Sequence, residues 1–212
     1  MLRIAVAKGR TEKEVLKLFE RCGIYFDEHN KTRKLILRDR NEKLELILTK
    51  PVDTTVYVET GAADCGIVGK DILLENDADV YSLLSLGIAR CKMCVAKKRG
   101  DDFQQNKFIT VATKFPRIAK KYFDEKNIDC KIIYLSGSVE LAPILNIADV
   151  IVDLVQTGTT LKENDLVVAD NIIEDVCACF IANKVSLKTK FAEFEELMQK
   201  LDSALSATEE ES

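Results

Sequence analysis

One segment in the second half of the chain strongly constrains the fold: an apolar run that stops at a threonine-rich turn. The run covers Val150–Val155 and carries one acid, Asp153. Five residues without strand character follow, Gln156-Thr157-Gly158-Thr159-Thr160, and helix-forming residues resume at Leu161. This order predicts a buried strand, a tight turn and the start of a helix.

The predicted turn has the chemistry of an anion site. Its backbone N–H groups and three threonine hydroxyls could hold a phosphate at the positive end of the helix dipole. Asp153, just before the turn, could accept hydrogen bonds from neighbouring hydroxyl groups, so a phosphate beside a sugar diol would satisfy both features. The residues leave a simpler alternative open, in which a threonine is only the N-cap of an ordinary helix.

A second strand, turn and helix occur at the start of the chain. Residues Leu2–Ala7 predict a strand, and Lys8-Gly9-Arg10 predicts a basic turn. Thr11 and Glu14 have the spacing of a capping box, which would open a helix that runs to about residue 22. This is a second, weaker candidate for a phosphate-binding turn.

The same alternation recurs along the chain and predicts the fold class. A strand over 64–68 precedes Gly69-Lys70-Asp71 and a short helix, and a strand over 130–135 precedes the turn at 136–140. Alternating strands and helices predict an α/β protein with mostly parallel strands. Ligands of such sheets bind at the carboxyl ends of the strands, where all these turns lie.

The domain organisation follows from a polar stretch, residues 97–107, after which the alternation restarts. We expect two α/β lobes. The first lobe is predicted to combine residues 1–95 with 181–206, the second to cover 96–180, and the acidic tail over 207–212 to be disordered.

Composition excludes several classes of protein. Charged residues make up 31% of the chain with both signs mixed, and the net charge is −4, which argues against a nucleic-acid surface. No apolar stretch approaches the roughly 18 residues of a membrane helix. The first residues lack the features of a signal peptide, so we expect a cytoplasmic protein whose seven cysteines are reduced thiols.

The motifs of several enzyme classes are absent. The chain has neither G-x-x-x-x-G-K-[ST] nor G-x-G-x-x-G, which disfavours P-loop ATPases and Rossmann dehydrogenases. His29 is the only histidine, so a histidine-rich metal site is excluded and a Ser–His hydrolase is disfavoured. The cysteine pairs Cys91/Cys94 and Cys177/Cys179 allow a zinc site, but a strand would put the first pair on opposite faces.

Several segments, taken together, resemble the ATP phosphoribosyltransferase family, the first enzyme of histidine biosynthesis. The resemblance covers residues 2–200. It is carried by Ala7-Lys8-Gly9-Arg10, Arg33-Lys34-Leu35, the segment 57–71 (YVETGAADCGIVGKD), Gly137-Ser138-Val139-Glu140-Leu141-Ala142-Pro143, and the segment 148–164 that contains the threonine-rich turn.

The resemblance implies a fold, a reaction and a partner. The fold would be two-lobed like the type II periplasmic binding proteins, with the active site in the cleft between the lobes. The reaction would join adenine N1 of ATP to phosphoribosyl pyrophosphate (PRPP), with Mg²⁺, and release pyrophosphate. The chain ends one helix after the second lobe and so looks like the short form. That form implies a homodimer core in a hetero-octamer with a regulatory subunit similar to histidyl-tRNA synthetase.

The resemblance also implies roles for residues. PRPP would bind to Asp153, Thr157, Gly158, Thr159, Thr160, Gly137, Ser138 and Glu140. ATP would bind to Gly9, Arg10, Gly69, Lys70 and Asp71, and the catalytic cations would be Lys8, Arg10 and Arg33. The metal would be carried by the substrates, with no dedicated protein ligands.

Two positions depart from the family pattern. Lys50 stands where the family usually has arginine, which removes bidentate geometry at that point. The segment 87–92 (GIARCK) has its basic positions exchanged relative to the family. Two other functions remain open: a non-catalytic solute-binding module of the same fold, and a PRPP-dependent nucleobase transferase, whose paired acids are reduced here to Asp153.

Overall fold

The computed structural model describes residues 1–26, 34–101 and 108–209, and these residues form two compact units. The first unit joins Met1–Ala89 to Cys177–Ser212, and the second is Arg90–Val176. The sequence-based boundaries after residues 95 and 180 fall inside two strands, Cys91–Lys98 and Ala178–Ala182. Each of these strands lies wholly in one unit, because a strand cannot be divided without breaking its ladder of hydrogen bonds.

The first unit contains a six-stranded sheet in the order β2-β3-β1-β4-β11-β5. Its elements are β1 (Leu2–Ala7), α1 (Arg10–Arg21), β2 (Ile36–Arg38), β3 (Leu44–Thr49), a 3-10 turn (Pro51–Asp53), α2 (Thr54–Glu59), β4 (Cys65–Gly69), α3 (Lys70–Asn76), β5 (Tyr81–Ser85), β11 (Ala178–Ala182), α7 (Lys184–Thr189) and α8 (Phe191–Glu209).

The core of the first unit lies between this sheet and helices α1 and α8. Phe19 from α1, Phe180 from β11 and Phe194 from α8 are buried together with the strand residues Ile4 and Leu46. The rings of Phe180 and Phe194 are 6.3 Å apart between centroids. Residues from both ends of the chain therefore stabilise one core.

The second unit contains a five-stranded sheet in the order β10-β6-β9-β7-β8. Its elements are β6 (Cys91–Lys98), β7 (Phe108–Thr113), α4 (Pro116–Glu125), β8 (Asp129–Tyr134), α5 (Leu141–Ile144), β9 (Val150–Val155), α6 (Thr159–Glu163) and β10 (Leu166–Val176). Ala112, Ile151 and Leu166 belong to its buried core, which α5 and α6 help to cover. The two-lobed α/β prediction is confirmed.

The prediction of mostly parallel strands is wrong. Among the described residues, four strand pairs are parallel (β1–β3, β1–β4, β7–β8 and β7–β9) and five are antiparallel (β2–β3, β4–β11, β5–β11, β6–β9 and β6–β10). The short connection between β2 and β3 can only join antiparallel strands. β6 and β11 also run against their neighbours, which alternation of helices and strands does not predict.

Two local predictions also change. Helix α1 begins at Arg10 after the N-cap Gly9, and Glu12 Oε2 accepts a hydrogen bond from Gly9 N at 3.1 Å. The predicted capping box of Thr11 and Glu14 is therefore wrong, because the helix starts before Thr11.

Helix α8 continues through Glu209, so the predicted disordered tail begins too early, and residues 210–212 lie outside the described residues.

Within the three described stretches, no helix is both long and apolar enough to cross a membrane.

Candidate functional site

The threonine-rich turn connects β9 to α6, as the sequence predicts. Gly158 is the N-cap residue of α6 and has a φ of 73°, a left-handed conformation in which a side chain would be strained. The simpler alternative, with a threonine as N-cap, is therefore wrong. The hydroxyls of Thr157 and Thr159 lie 3.0 Å apart, and Thr159 N donates to Thr157 Oγ1 at 3.4 Å. The threonine side chains thus gather at the exposed end of the turn.

A cavity of about 240 Å³ lies beside this turn, entirely within the second unit. Asp153 and the whole turn from Gln156 to Thr160 line it, and so does Glu140, which immediately precedes α5. Gly137 and Ser138 are not among its lining residues. Ser138 instead has a φ of 48° and its carbonyl accepts a hydrogen bond from Leu141 N, so it shapes the turn that leads into α5.

Asp153 has neighbours that the sequence analysis did not single out for the site. The partner of Asp153 across the β6–β9 ladder is Cys94, which also lines the cavity. Burial raises the pKa of the Cys94 thiol, although the charge of Lys92 opposes this, so the thiol stays protonated near neutral pH.

Lys114, directly after β7, places Nζ 3.9 Å from Asp153 Oδ1. Lys114 could have been predicted as a site residue, because ligands of such sheets bind at the carboxyl ends of the strands. Since β7 and β9 are parallel neighbours, their carboxyl ends lie at the same edge of the sheet.

Two predicted ATP-binding segments and Lys50 lie at one edge of the sheet in the first unit. β1, β3 and β4 are parallel, so Lys8-Gly9-Arg10, Lys50 and Gly69-Lys70-Asp71 all follow carboxyl strand ends at that edge. A backbone hydrogen bond joins the ends of β1 and β3, since Lys8 N donates to the carbonyl of Thr49, the residue before Lys50, at 2.9 Å.

The side chains at this edge differ in how firmly they are held. Asp71 is only 8% exposed and folds over Gly69, where a Cβ atom would lie 2.1 Å from Asp71 Oδ1. Lys8 is exposed. Arg10 is exposed and forms an ion pair of 3.7 Å with Glu14. Arg33, the third candidate for a catalytic cation, lies outside the described residues.

The structure gives little support to a zinc site built on cysteine. Among the described residues, no group of three or more His, Cys, Asp or Glu side chains could hold a metal ion. All seven cysteines fall in the described part of the chain, and none forms a disulfide. Cys94 Sγ donates to Asn171 Oδ1, whereas Cys91 Sγ donates to the carbonyl of Val176.

The family model "HisG: ATP phosphoribosyltransferase" matches residues 50–203 of the chain. The chain belongs to the ATP phosphoribosyltransferase family. The enzyme of this name from Clostridioides difficile (strain 630) is 46% identical over 202 residues, which cover 93% of this chain and 95% of that protein. The one from Oceanobacillus iheyensis is 43% identical over 203 residues, which cover 95% of this chain and 97% of that protein.

Solved structures agree with this family membership. The ATP phosphoribosyl transferase (HisG:HisZ) complex from Thermotoga maritima matches with a TM-score of 0.85 and 31% identity, covering 98% of this chain and all of that chain. The periplasmic aliphatic sulphonate binding protein SsuA from Escherichia coli matches with a TM-score of 0.63 and 12% identity, covering 99% of this chain and 74% of that chain. SsuA shares the fold alone, so the solute-binding alternative is not favoured.

Proposed function

We infer that this phosphoribosyltransferase joins ATP to PRPP, forming N1-(5-phosphoribosyl)-ATP and pyrophosphate in the first step of histidine biosynthesis. The observation that carries this inference is one cavity lined by Asp153 and the threonine-rich turn, in a chain of this family. The turn offers hydroxyl and N–H donors to a phosphate, and Asp153 offers acceptors to a sugar diol. PRPP carries both groups side by side.

In the second unit, the threonine-rich turn and Asp153 would each bind a different part of PRPP. Thr157, Gly158, Thr159 and Thr160 would bind the 5′-phosphate, and Asp153 would accept hydrogen bonds from the ribose hydroxyls. Glu140 would line the same site. Gly137 and Ser138 would act by shaping the turn before α5, since they do not reach the cavity.

The proposed ATP-binding residues lie at the edge of the first unit's sheet where β1, β3 and β4 end. Gly9 and Arg10 would bind ATP together with Gly69, Lys70 and Asp71, and Lys8 and Arg10 would neutralise phosphate oxygens. Arg33 keeps its proposed catalytic role from the family resemblance alone. Lys50 would contribute a point charge and no bidentate contact.

The proposed chemistry needs no strong base in the protein. Adenine N1 attacks ribose C1 with its own lone pair, the C1–O bond to pyrophosphate breaks, and the leaving group takes that electron pair. The protein has to hold two polyanions, ATP and PRPP, in a reactive orientation. Such orientation can lower a reaction barrier by roughly 7–11 kcal/mol. His29 therefore need not take part.

Mg²⁺ is the proposed cofactor, and the phosphate oxygens of PRPP and ATP would carry it, with no dedicated protein ligands. Asp153 and Glu140 supply hard carboxylate oxygens at the PRPP cavity, which a substrate-borne ion would face. Mg²⁺ bound to the substrate would offset charge on the pyrophosphate. The proposed class is accordingly a Mg²⁺-dependent glycosyltransferase, specifically a pentosyltransferase.

We further propose a separate regulatory subunit similar to histidyl-tRNA synthetase, with a homodimer of this chain as the core of a hetero-octamer. The related protein from Thermotoga maritima, which is described as a HisG:HisZ complex, supports this proposal.

The cytoplasm is the proposed location, since the seven cysteines form no disulfide.

The direct test is an absorbance assay for the adduct of ATP and PRPP in the presence of Mg²⁺. It is run with and without the regulatory subunit. We expect adduct in at least the complete mixture, and no adduct under either condition would refute the proposed function.

A narrower test places PRPP in the cavity. Asp153→Asn and Thr160→Val should raise the KM for PRPP about tenfold or more while changing the KM for ATP less, because one charged or polar contact is worth about 1–3 kcal/mol. Asp165→Asn and Thr189→Val are the matched controls, since both residues are exposed and lie away from the cavity. An equal loss of affinity for ATP and PRPP would show that the ligands are placed wrongly.

A further inference from the structure

The cavity proposed for PRPP carries negative charge of its own. Two carboxylates, Asp153 and Glu140, line it, and among its described lining residues none is a lysine or arginine. Two negative charges would repel the phosphate groups of PRPP unless a cation stands close by. Substrate-borne Mg²⁺ would offset part of this charge, and a cationic side chain that also does so has to lie just outside the cavity.

Lys114 meets this requirement through Asp153. Thr113 and Val152 are partners in the parallel β7–β9 ladder, so Lys114, the first residue after β7, lies beside Asp153, which is still within β9. Lys114 Nζ lies 3.9 Å from Asp153 Oδ1, and the Asp153 side chain is only 23% exposed. The nearby Lys92 is already engaged, with Nζ 2.6 Å from Glu174 Oε2.

The surroundings of Lys114 hold it in this position. Its ammonium lies 4.8 Å from the centroid of the Phe115 ring, which is buried, so a cation–π contact supports the side chain. Thr113 fixes the backbone on both sides of Lys114, because its hydroxyl donates to the carbonyl of Val152 at 2.7 Å and accepts from Phe115 N at 2.9 Å. The turn after β7 is thereby tied to β9 next to Asp153.

We propose that Lys114 is a positioning residue for PRPP, which holds the Asp153 carboxylate toward the ribose hydroxyls and offsets the negative charge of the cavity. It acts through Asp153 and does not touch the reacting atoms. This proposal rests on the proposed function, specifically on the assignment of Asp153 to the ribose of PRPP.

The test uses the full chain in the assembly that forms adduct in the assay above. Lys114→Met removes the charge but keeps an unbranched side chain over Phe115. We expect the KM for PRPP to rise about threefold to fivefold, with the KM for ATP and kcat each within about twofold, as for the loss of one partly exposed ion pair. Lys114→Arg keeps the charge and should restore most of the affinity for PRPP.

Lys121→Met is the matched control, because Lys121 lies on the adjacent helix α4, is 77% exposed and pairs with Glu125. It should leave all three constants unchanged. Thermal melting of each variant checks that the fold is intact, and we expect no change in Tm that tracks the KM for PRPP.

A double variant separates this inference from the proposed function. If Lys114 acts through Asp153, then Lys114→Met should add little to the defect of Asp153→Asn. Additive defects would mean that Lys114 contacts PRPP directly, and an unchanged KM in Lys114→Met would mean that it has no role; either result overturns the inference alone. An unchanged KM for PRPP in Asp153→Asn would instead refute the assignment of Asp153, and the inference would fall with it.

Discussion

At the scale of single residues, Asp64 shows how a buried charge can be stabilised away from the proposed site. It is 5% exposed, and Oδ2 accepts hydrogen bonds from Arg3 N at 2.9 Å and Lys190 Nζ at 2.7 Å. Burial by itself would raise the pKa of this carboxyl, but the hydrogen bonds from Lys190 and Arg3 outweigh it, so the pKa is lowered. Asp64 thus ties the C-terminal part of the chain to β1.

Asp64→Asn is expected to lower the free energy of unfolding by about 1–3 kcal/mol at pH 7, because a charged acceptor is lost from a buried network. A lowered pKa in the folded state stabilises the protein above the unfolded pKa, and that stability is lost as pH falls through the folded pKa. The difference from wild type should therefore shrink below about pH 4. Urea denaturation at pH 7 and at low pH measures it, and a loss independent of pH would contradict this account.

Gly66 is a second position where one residue decides the packing. A Cβ atom there would lie 2.8 Å from Val58 Cγ2 and 3.0 Å from the carbonyl oxygen of Ala5. Gly66→Ala should lower the free energy of unfolding by about 1–3 kcal/mol, since β4 would be pushed from its neighbours. Gly137→Ala is the control, because no described atom beyond its two chain neighbours lies within 4 Å of its Cβ position. Equal melting temperatures for the two variants would refute the prediction.

At the scale of elements, Asn183 joins the start of α7 to the end of α2. Its Oδ1 accepts hydrogen bonds from Val185 N and Ser186 N, both at 3.0 Å, as an N-cap does. Its Nδ2 donates to the carbonyls of Val58 and Glu59, at 2.9 and 3.2 Å, where α2 ends. One side chain therefore satisfies backbone groups at two helix ends.

Asn183→Ala should lower the free energy of unfolding by about 1–3 kcal/mol, because both helix ends lose their partner. Asn183→Ser keeps an oxygen for the N-cap but has no amide to donate to α2, so its loss should be smaller. Chemical denaturation of the three proteins gives the comparison. A serine variant as unstable as the alanine variant would mean that the contact with α2 carries the whole effect.

At the scale of the whole molecule, the two units differ in how the chain builds them. The second unit is one continuous stretch, Arg90–Val176, which contains all five strands of its sheet. The first unit needs residues from both ends, because β11 lies between β4 and β5 in its sheet. Phe194, Leu197 and Leu201 of α8 also complete its core.

We therefore expect a fragment of residues 90–176 to fold by itself, with dispersed amide signals in its NMR spectrum and a cooperative thermal transition. A fragment of residues 1–89 should not fold, since it lacks the strand that joins β5 to the sheet and most of the helical cover of the core. Adding residues 177–212 as a separate peptide should restore structure to it. A cooperative transition in residues 1–89 alone would contradict this view.

The sequence by itself determined the local elements and the family. It predicted β1 and β9 with their observed bounds, and it predicted the turn from β9 into α6, because periodicity, glycine and threonine act over a few neighbouring residues. The motifs that resemble ATP phosphoribosyltransferases are likewise contiguous, and the family is confirmed. The roles given to individual site residues stay predictions.

Only the tertiary structure decided which distant residues meet. It set the antiparallel direction of β6 and β11, because strand direction depends on pairing between segments far apart in the chain. It brought Glu140 to the cavity of Asp153 and placed Lys114 beside that acid, although 39 positions separate Lys114 from Asp153 in the sequence. Local propensity carries no record of such contacts, since they arise when separate strands pack and end at one edge of a sheet.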